Sequence, residues 1–385
     1  MAGGMKSFSD IACLGIENLV CYEPGRPVEE VARELGFDDA SEITKLASNE
    51  NSLGPSPEAV AAMRRSAVQM HRYPDGGSYY LRQALAGRLK VEPSCVLPVN
   101  GSNEALELLA HVFLGGGKSI VMAEYAFVVY RLISAMFGAG VISVPMKKFT
   151  HDVEAMLAAV EENTRVVFVG NPNNPTGTAI YGEDIDRLVE GVPDGVIVCF
   201  DEAYVELLPE EKQPDTLRYV REGRKVVILR TFSKSYGLAG LRIGYAVAAK
   251  ECIDLLERVR QPFNVNAMAL AAALAALEDE AHIRRTRNMV TCGLEYLEKG
   301  FTDLGLPFIP SCANFVLVET AGVSREFTGR KVFEALQREG IIVRPMDVYG
   351  LPGYLRITVG TEAENARLIG ALRRILKETG DDNCD

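Results

Sequence analysis

Short apolar runs alternate with helical patterns between about residues 45 and 280. The runs are SIVM (119–122), VISVPM (141–146), RVVFVG (165–170), VIVCF (196–200), KVVIL (225–229) and YAVAA (245–249). They are rich in Val and Ile and do not alternate with polar residues, which is typical of strands buried on both faces of a mostly parallel sheet. Between them, NEALELLAHVFL, EDIDRLVEGV and IDLLERVRQ keep the spacing of amphipathic helices. The pattern therefore predicts an α/β fold, a mostly parallel mixed sheet flanked by helices.

From about residue 283 the pattern carries more charge. A long helix, RRTRNMVTCGLEYLEKGF, is followed by the strand-like runs NFVLVE, IIVRP and YLRITV, by the helix REFTGRKVFEALQREG and by a last helix, ENARLIGALRRILKE. Such a mixture predicts a smaller α+β lobe. We expect residues 45–282 to form a large domain, and residues 1–44 and 283–385 to form a small one. Near the start of the large domain, Pro57 predicts the first turn of a helix, where an amide hydrogen is not needed.

Composition and charge exclude several classes of protein. The 385 residues, 48% of them hydrophobic, can bury a large core, and the net charge of −11 argues against a nucleic-acid surface. The longest apolar run, AMALAAALAALE (267–278), is too short to cross a bilayer and predicts a buried helix. The first twenty residues lack the pattern of a secretory signal, so we expect a cytoplasmic protein. Eight cysteines without a CxxC pair and four scattered histidines predict neither a disulfide framework nor a metal site.

Polar residues follow several of the predicted strands. The stretch NGSNEALELL begins a helix, and its free amides at Gly101, Ser102 and Asn103 favour a phosphate, although small polar residues also begin helices as plain caps. The stretch NPNNPTG is a stiff turn that presents amide side chains, among them Asn174. Each feature alone is weak, but both would lie at the carboxyl edge of the sheet, where open α/β folds hold their ligands.

The next two strand ends bring an acid, a phenol and an amine. DEAY follows VIVCF and places Asp201 and Tyr204 there, and the loop after KVVIL adds Thr231, Ser233, Lys234 and Arg242. A helix cap or a solvated surface lysine would explain each residue separately. At consecutive strand ends, however, they predict one site that contains an anion cradle, an acid, a phenol and an amine.

Pyridoxal 5′-phosphate requires this combination of groups. Lys234 would hold its aldehyde as an imine, and the same amine, once displaced by a substrate, would carry a proton at the substrate Cα. Asp201 would keep the ring nitrogen protonated, and Tyr204 would donate to the phenolic oxygen. Tyr125 is the candidate for stacking on the ring, although a lone aromatic residue more often belongs to the core. The phosphate would be anchored by Arg242, Thr231, Ser233 and the amides of residues 101–103.

Ten motifs together resemble a known family. They are KLASNENSLGPSPEA, HRYPDGG, GSNEALELL, EYAFVVY, NPNNPTG, DEAY, TFSKSYGLAGLRIGY, CANFVLVE, IIVRP and LRITVGT, in this order. Over nearly its whole length the chain resembles the fold-type I, class-II-like pyridoxal-phosphate-dependent aminotransferases, and among these the histidinol-phosphate aminotransferases. The resemblance implies pyridoxal phosphate on Lys234, with contacts from Ser102, Tyr125, Asn174, Asp201, Tyr204, Thr231, Ser233 and Arg242.

The resemblance also implies a homodimer and a set of substrate residues. Tyr73, in RYPD, would reach the cofactor phosphate of the partner subunit. Arg356 would bind the carboxylate of glutamate or 2-oxoglutarate, Arg344 the phosphate of histidinol phosphate, and Tyr22 would fold over the substrate. A surface position at a strand edge explains Arg344 equally well, whereas a guanidinium fork at Arg356 suits two-point binding of an anion. Ser52 stands where the family has a proline, and the loop DGGSYYLR differs, which bears on the dimer contacts.

The implied reaction is transfer of the amino group of L-histidinol phosphate to 2-oxoglutarate, giving imidazole-acetol phosphate and L-glutamate, in histidine biosynthesis. Two related activities remain open at this point: a broad aromatic aminotransferase and a phosphothreonine decarboxylase-like enzyme. The sensing domain of a transcription regulator would need a basic helix-turn-helix module before the core, and only about 40 residues precede KLASNEN. Lys234 and Asp201 together argue against an inactive scaffold.

Overall fold

The computed structural model describes residues 7–11, 16, 19, 25–321 and 328–381. Its strands are β1 (Thr44–Lys45), β2 (Val96–Val99), β3 (Ser119–Ala123), β4 (Gly140–Val144), β5 (Thr164–Gly170), β6 (Ile197–Asp201), β7 (Val226–Thr231), β8 (Gly244–Ala248), β9 (Phe308–Ile309), β10 (Phe315–Glu319), β11 (Ile341–Ile342), β12 (Arg344–Pro345) and β13 (Tyr354–Thr358). Its helices are α1 (Val28–Leu35), α2 (Pro57–Ala67), α3 (Tyr79–Leu89), α4 (Ser102–Phe113), α5 (Val128–Met136), α6 (Val153–Ala158), α7 (Gly182–Gly191), α8 (Leu217–Arg221), α9 (Lys250–Val259), α10 (Ala267–Glu278), α11 (Glu280–Asp303), α12 (Gly329–Arg338) and α13 (Glu362–Asp381).

A seven-stranded sheet forms the centre of the molecule, in the order β2-β8-β7-β6-β5-β3-β4. Only β8 runs antiparallel to its two neighbours, β2 and β7, whereas the other neighbouring pairs are parallel. Side chains of β5 alternate between two apolar cores: Val166 and Phe168 pack in one, Val167 and Val169 in the other. Because both faces are covered, the strand shows no polar alternation. The predicted α/β fold with a mostly parallel mixed sheet is confirmed.

Each of the six apolar runs contributes a strand to this sheet. Two features of the strands were not predicted from the sequence. The sequence did not predict β2, because its Pro98 argues against a strand; β2 lies at the sheet edge, where a missing amide hydrogen is tolerated. The run IIVRP forms two short strands, β11 and β12, that belong to different sheets. The predicted start of α2 is confirmed, since Pro57 is its first residue and Ser56 caps it.

A second layer lies beside the large sheet. Its antiparallel sheet has the order β12-β13-β10-β9, and β1 pairs in parallel with β11. A separate apolar core, which includes Leu297, Phe301, Val316 and Leu336, joins these strands to α11, α12 and α13. The proposed domain boundary at residue 282 falls in the first turn of α11 and stays a prediction. Among the described residues, no helix combines the length and the apolar character that a membrane span requires.

Three adjacent parallel strands bring the predicted motifs together. In the register of β5, β6 and β7, Gly170 lies opposite Asp201, and Asp201 lies opposite Leu229. NPNNPTG, DEAY and TFSK therefore leave the sheet at one edge, side by side.

Candidate active site

A cavity of about 680 Å³ opens at this edge of the sheet. It is lined by eleven of the residues that the sequence predicted for the site: Ser102, Asn103, Asn174, Asp201, Tyr204, Thr231, Ser233, Lys234, Arg242, Arg344 and Arg356. Gly101 is not a lining residue, but as the N-cap residue of α4 it directly precedes Ser102, which is one. Tyr73 and Tyr125 are not among the lining residues, and Tyr22 lies outside the described residues. The structure thus brings most of the predicted residues into one space.

Lys234 is the amine of this cavity. Its Nζ donates to the backbone oxygen of Ser48 at 3.1 Å and lies 5.8 Å from the centre of the Tyr204 ring. Burial, followed by the positive charges of Arg356 and Arg242, lowers the pKa of Lys234 to about 8. About a tenth of the amine is therefore neutral at pH 7, far more than for an ordinary lysine, and the neutral form is the one that acts as a nucleophile or a proton acceptor.

Asp201 is a buried carboxylate with one oxygen unused. Its Oδ2 accepts a hydrogen bond from the Tyr130 hydroxyl at 2.8 Å, whereas Oδ1 is buried and has no partner within the described chain. Burial raises the pKa of Asp201 to about 6, against the opposing effects of the Tyr130 hydroxyl and the Ala203 amide. Above pH 6 the ionised group can accept a hydrogen bond from a cationic N–H of a ligand, which would satisfy Oδ1.

Tyr204 is a phenol whose proton is not used within the described protein. Its oxygen accepts a hydrogen bond from Asn49 Nδ2 at 3.0 Å. Burial raises the pKa of Tyr204 to about 12, so the hydroxyl stays protonated at neutral pH. Because a hydroxyl both donates and accepts, Tyr204 can give its proton to an acceptor in the cavity.

Backbone amides, hydroxyls and a guanidinium form the anion cradle. Gly101 has φ +80° and caps α4, whose first amides have no partners within the helix. The Arg242 guanidinium packs so closely that a Cβ atom on Gly101 would lie 2.5 Å from its Nη2. Thr231 Oγ1 donates to Ser233 Oγ at 3.0 Å, and the Ser233 amide donates to Thr231 Oγ1 at 3.1 Å. These donors suit a phosphate group.

Two arginines enter the cavity from the second layer. Arg344 on β12 lies opposite Arg356 on β13, and both line the cavity. Arg356 donates to Asn174 Oδ1 at 2.6 Å and to the Ala47 oxygen at 2.9 Å, while its Nε is buried with no partner in the described chain. Among the charged lining residues that the structure describes, Asp201 is the one carboxylate, so the cavity favours anionic ligands.

The structure identifies site residues that sequence reasoning missed. Phe127, the N-cap residue of α5, lines the cavity, whereas the ring of Tyr125 stacks on Phe149 at 5.8 Å. In EYAF the two aromatic residues are two positions apart, and no local pattern shows which one lines the cavity; that Tyr125 stacks on the cofactor ring stays a prediction. Asn49 and Tyr130 also line the cavity, and their bonds to Tyr204 and Asp201 span 155 and 71 residues. Only the folded chain reveals such partners.

The residues present fit pyridoxal phosphate. Lys234 would hold its aldehyde, the unpaired Oδ1 of Asp201 would accept from its ring nitrogen, and Tyr204 would donate to its phenolic oxygen. Gly101 and Arg242 would cradle its phosphate with the neighbouring hydroxyls. The unpaired buried oxygen of Asp201 is the most specific of these features, because such an atom needs a partner that the described chain does not provide.

Comparisons with known proteins agree with this geometry. Residues 41–372 match the family model described as aminotransferase class I and II. Histidinol-phosphate aminotransferase 2 of Pseudomonas fluorescens is 47% identical over 370 residues, which cover 96% of this chain and 98% of the relative. Histidinol-phosphate aminotransferase of Akkermansia muciniphila is 47% identical over 371 residues, covering 96% of this chain and 100% of the relative. The crystal structure of histidinol-phosphate aminotransferase from Sinorhizobium meliloti in complex with pyridoxal-5′-phosphate superimposes with a TM-score of 0.85 at 28% identity, covering 93% and 96% of the two chains.

The fold and the site together define an enzyme of the fold-type I class, with an amine and a carboxylate at the carboxyl edge of a mostly parallel sheet. The match over residues 41–372 and the full-length relatives make the assignment narrower. The chain belongs to the class I and II aminotransferase family.

Proposed function

We propose that this chain transfers the amino group of L-histidinol phosphate to 2-oxoglutarate, with pyridoxal phosphate as cofactor. One observation carries the proposal: a single cavity joins the Lys234 amine, the unpaired Asp201 oxygen and more cations than the cofactor phosphate needs. The names of the full-length relatives, all histidinol-phosphate aminotransferases among those described above, support the identity of the amino donor.

The roles of the residues follow from their surroundings. When bound, pyridoxal phosphate supplies an electron sink for the pair released as the substrate Cα–H bond breaks. Lys234 would first hold the cofactor and then, displaced by the substrate amine, move the proton at Cα, for which its pKa near 8 is suited. Asp201 would maintain the proton on the ring nitrogen, and Tyr204 would orient the ring by donating its hydroxyl proton.

The distribution of cations supports a phosphorylated donor and a dicarboxylate acceptor. Arg242 lies at the phosphate cradle beside Gly101, and three further arginines line the cavity and are candidates for binding substrate anions: Arg131, Arg344 and Arg356. Guanidinium groups bind phosphates and carboxylates at two points. Histidinol phosphate carries its negative charge on a phosphate at the end remote from the imidazole, a doubly charged group with three acceptor oxygens, whereas phenylalanine offers a singly charged carboxylate; 2-oxoglutarate carries two carboxylates.

Exposed apolar side chains support a homodimer. Val68, Tyr73 and Tyr80 are 77%, 82% and 71% exposed, and the Tyr73 ring stacks on Phe263, itself 45% exposed, at 4.7 Å. Large exposed apolar side chains such as the stacked Tyr73–Phe263 pair are typical of a surface that another protein covers, and we propose that a second copy of this chain does so while Tyr73 reaches the partner's cofactor phosphate. The five free cysteines in the described residues support the further proposal that the protein works in the reducing cytoplasm.

The amino-donor preference tests the proposal. With 2-oxoglutarate as acceptor, we expect kcat/KM for histidinol phosphate to exceed that for phenylalanine at least about tenfold, as one well-placed phosphate contact allows. Replacement Arg344→Gln should reduce the preference by raising KM for histidinol phosphate more than KM for phenylalanine. Glutamate formation measures both rates.

The Lys234→Ala variant is the control for the chemistry, and it should lose the absorbance of covalently held cofactor and nearly all turnover. Equal rates with histidinol phosphate and phenylalanine would instead indicate a broad aromatic aminotransferase. Release of carbon dioxide from phosphothreonine would indicate a decarboxylase.

A further inference from the structure

We propose that Asn49 and Thr358 are positioning residues for Tyr204. They fix the direction in which the Tyr204 hydroxyl points its proton, and they connect that hydroxyl to the strand that carries Arg356. The inference deepens the proposed function and rests on its assignment of pyridoxal phosphate to Lys234.

The hydrogen bonds around Asn49 have one consistent direction. The Asn49 amide donates to Thr358 Oγ1 at 2.9 Å, Thr358 Oγ1 lies 3.2 Å from Asn49 Oδ1, and Asn49 Nδ2 lies 3.0 Å from the Tyr204 oxygen. A hydroxyl that accepts from a backbone amide keeps its own proton for Oδ1, which turns Nδ2 towards Tyr204. The Tyr204 oxygen thereby accepts from Asn49, and its proton is left for the cavity.

The backbone of Asn49 is held in the conformation that this bond requires. Asn49 is 1% exposed and has φ +54°, in the left-handed region that asparagine adopts more readily than most residues with a side chain. Its backbone oxygen accepts from Asn314 Nδ2 at 3.1 Å. Both the residue type and its contacts therefore direct the amide into the cavity.

The segment of residues 47–49 also contacts β13, the strand that carries Arg356. Arg356 and Thr358 are two positions apart on β13, so their side chains project from one face. Arg356 donates to the Ala47 oxygen, Thr358 bonds to Asn49, and Ser48 between them accepts from Lys234. An anion that binds Arg356 therefore also acts on the segment that orients the Tyr204 hydroxyl. The anion-binding site at Arg356 and the hydrogen bond of Tyr204 are coupled in this way.

The pH dependence of the bound cofactor's absorbance reports this hydroxyl. A hydrogen bond from Tyr204 stabilises negative charge on the ring oxygen and lowers the pH at which the Lys234-bound nitrogen loses its proton. Besides Lys234, the charged and titratable groups that face Tyr204 are Arg356, Asp201 and Tyr349. None of them is replaced in the variants below, and Asn49→Gly and the Thr358 variants add no charge, so a displaced midpoint in those variants is due to the hydroxyl.

The test uses the loaded enzyme with Asn49→Gly, which keeps the backbone conformation available, and Asn49→Asp, which keeps the shape. Without the Asn49 donor, Tyr204 becomes a weaker donor itself, and we expect the midpoint to rise by about 0.5 to 1 pH unit. The carboxylate of Asn49→Asp only accepts, so it draws the hydroxyl proton to itself, and its negative charge also favours the protonated nitrogen, so the rise should be larger.

A matched pair at Thr358 separates positioning from a general loss of structure. Thr358→Val, which has the same shape without the hydroxyl, should raise the midpoint, whereas Thr358→Ser should leave it unchanged. Thermal unfolding of each variant without cofactor shows whether the fold is intact. Wild-type midpoints in both Asn49 variants, or equal midpoints in the Thr358 pair, would overturn the inference alone. A wild-type protein that takes up no cofactor would overturn the proposed function as well.

Discussion

The phosphate cradle makes a sharp prediction for Gly101→Ala. Gly101 has φ +80° and ψ +157°, a combination that is essentially restricted to glycine. A Cβ atom there would lie 2.5 Å from Nη2 and 3.2 Å from Cζ of Arg242. Since the distance to Nη2 is shorter than real Cβ contacts and the distance to Cζ is tight, the guanidinium must move away from the cradle.

Two separate losses follow from this substitution. The strained backbone should cost about 1 to 3 kcal/mol of folding free energy, whether or not cofactor is bound. A displaced Arg242 loses a charge-assisted hydrogen bond to the phosphate, worth about 1.5 to 3 kcal/mol, which corresponds to a roughly ten- to hundredfold higher dissociation constant for pyridoxal phosphate.

Equilibrium titration of the apoenzyme with pyridoxal phosphate measures the dissociation constant, and thermal unfolding of the apoenzyme measures the strain. The matched control is Gly87→Ala within α3, where a Cβ atom meets nothing within 4 Å and φ lies outside the left-handed region. It should leave the dissociation constant unchanged and stabilise the helix by about 0.5 to 1 kcal/mol. If Gly101→Ala bound the cofactor as tightly as the wild type, the assignment of the cradle would be wrong.

Two further predictions concern pH. Because the pKa of Lys234 is lowered to about 8, the neutral amine becomes about tenfold scarcer with each pH unit below that value. The rate of covalent cofactor uptake, measured by stopped-flow absorbance, should therefore rise about tenfold from pH 6 to pH 7 and level off above pH 8. A rate that does not change with pH would contradict this. Burial raises the pKa of Glu206 from 4.5 to about 7, and a raised acid contributes stability that is fully present below pH 4.5 and is lost as the pH rises through 7. Glu206→Gln should remove that loss of stability, which is at most about 3 kcal/mol. The melting temperature of the variant minus that of the wild type should therefore increase between pH 5 and pH 8. If this difference in melting temperature did not change with pH, Glu206 would titrate normally.

Local pattern predicted the sheet and the chemical groups at its edge. Strands such as β5 and β6 are continuous apolar runs, because a strand that is buried on both faces has no position that faces water. Parallel strands also place their carboxyl ends at one edge, so Asp201 and Lys234 could be expected to meet. The elements that escaped prediction are those whose local pattern points elsewhere, as Pro98 does in β2.

Partners across the chain could not be predicted in this way. The sequence suggests that Asp201 and Tyr204 act on a ligand, but nothing near either residue indicates that Tyr130 and Asn49 would be their partners. That Phe127 lines the cavity and Tyr125 does not is a fact of the same kind, since it depends on how the chain turns between β3 and α5. The packing of segments that are distant in the sequence determines these contacts, and it produces no short-range pattern in the sequence from which they could be predicted.

Glu202 shows how far such packing determines the geometry of the site. It lies between Asp201 and the start of the next turn, is 0% exposed, and pairs with Arg230 of β7 through Nε at 2.9 Å and Nη2 at 2.8 Å. The Thr216 hydroxyl donates to its other oxygen. Removing one member of a buried pair leaves an uncompensated charge and typically costs about 3 to 5 kcal/mol, so the pair resists any sliding of β6 against β7. Asp201 ends β6, and Lys234 follows β7. The buried pair of Glu202 and Arg230 lies outside the cavity lining, but by fixing β6 against β7 it helps to set the distance between the Asp201 carboxylate and the Lys234 amine within the cavity.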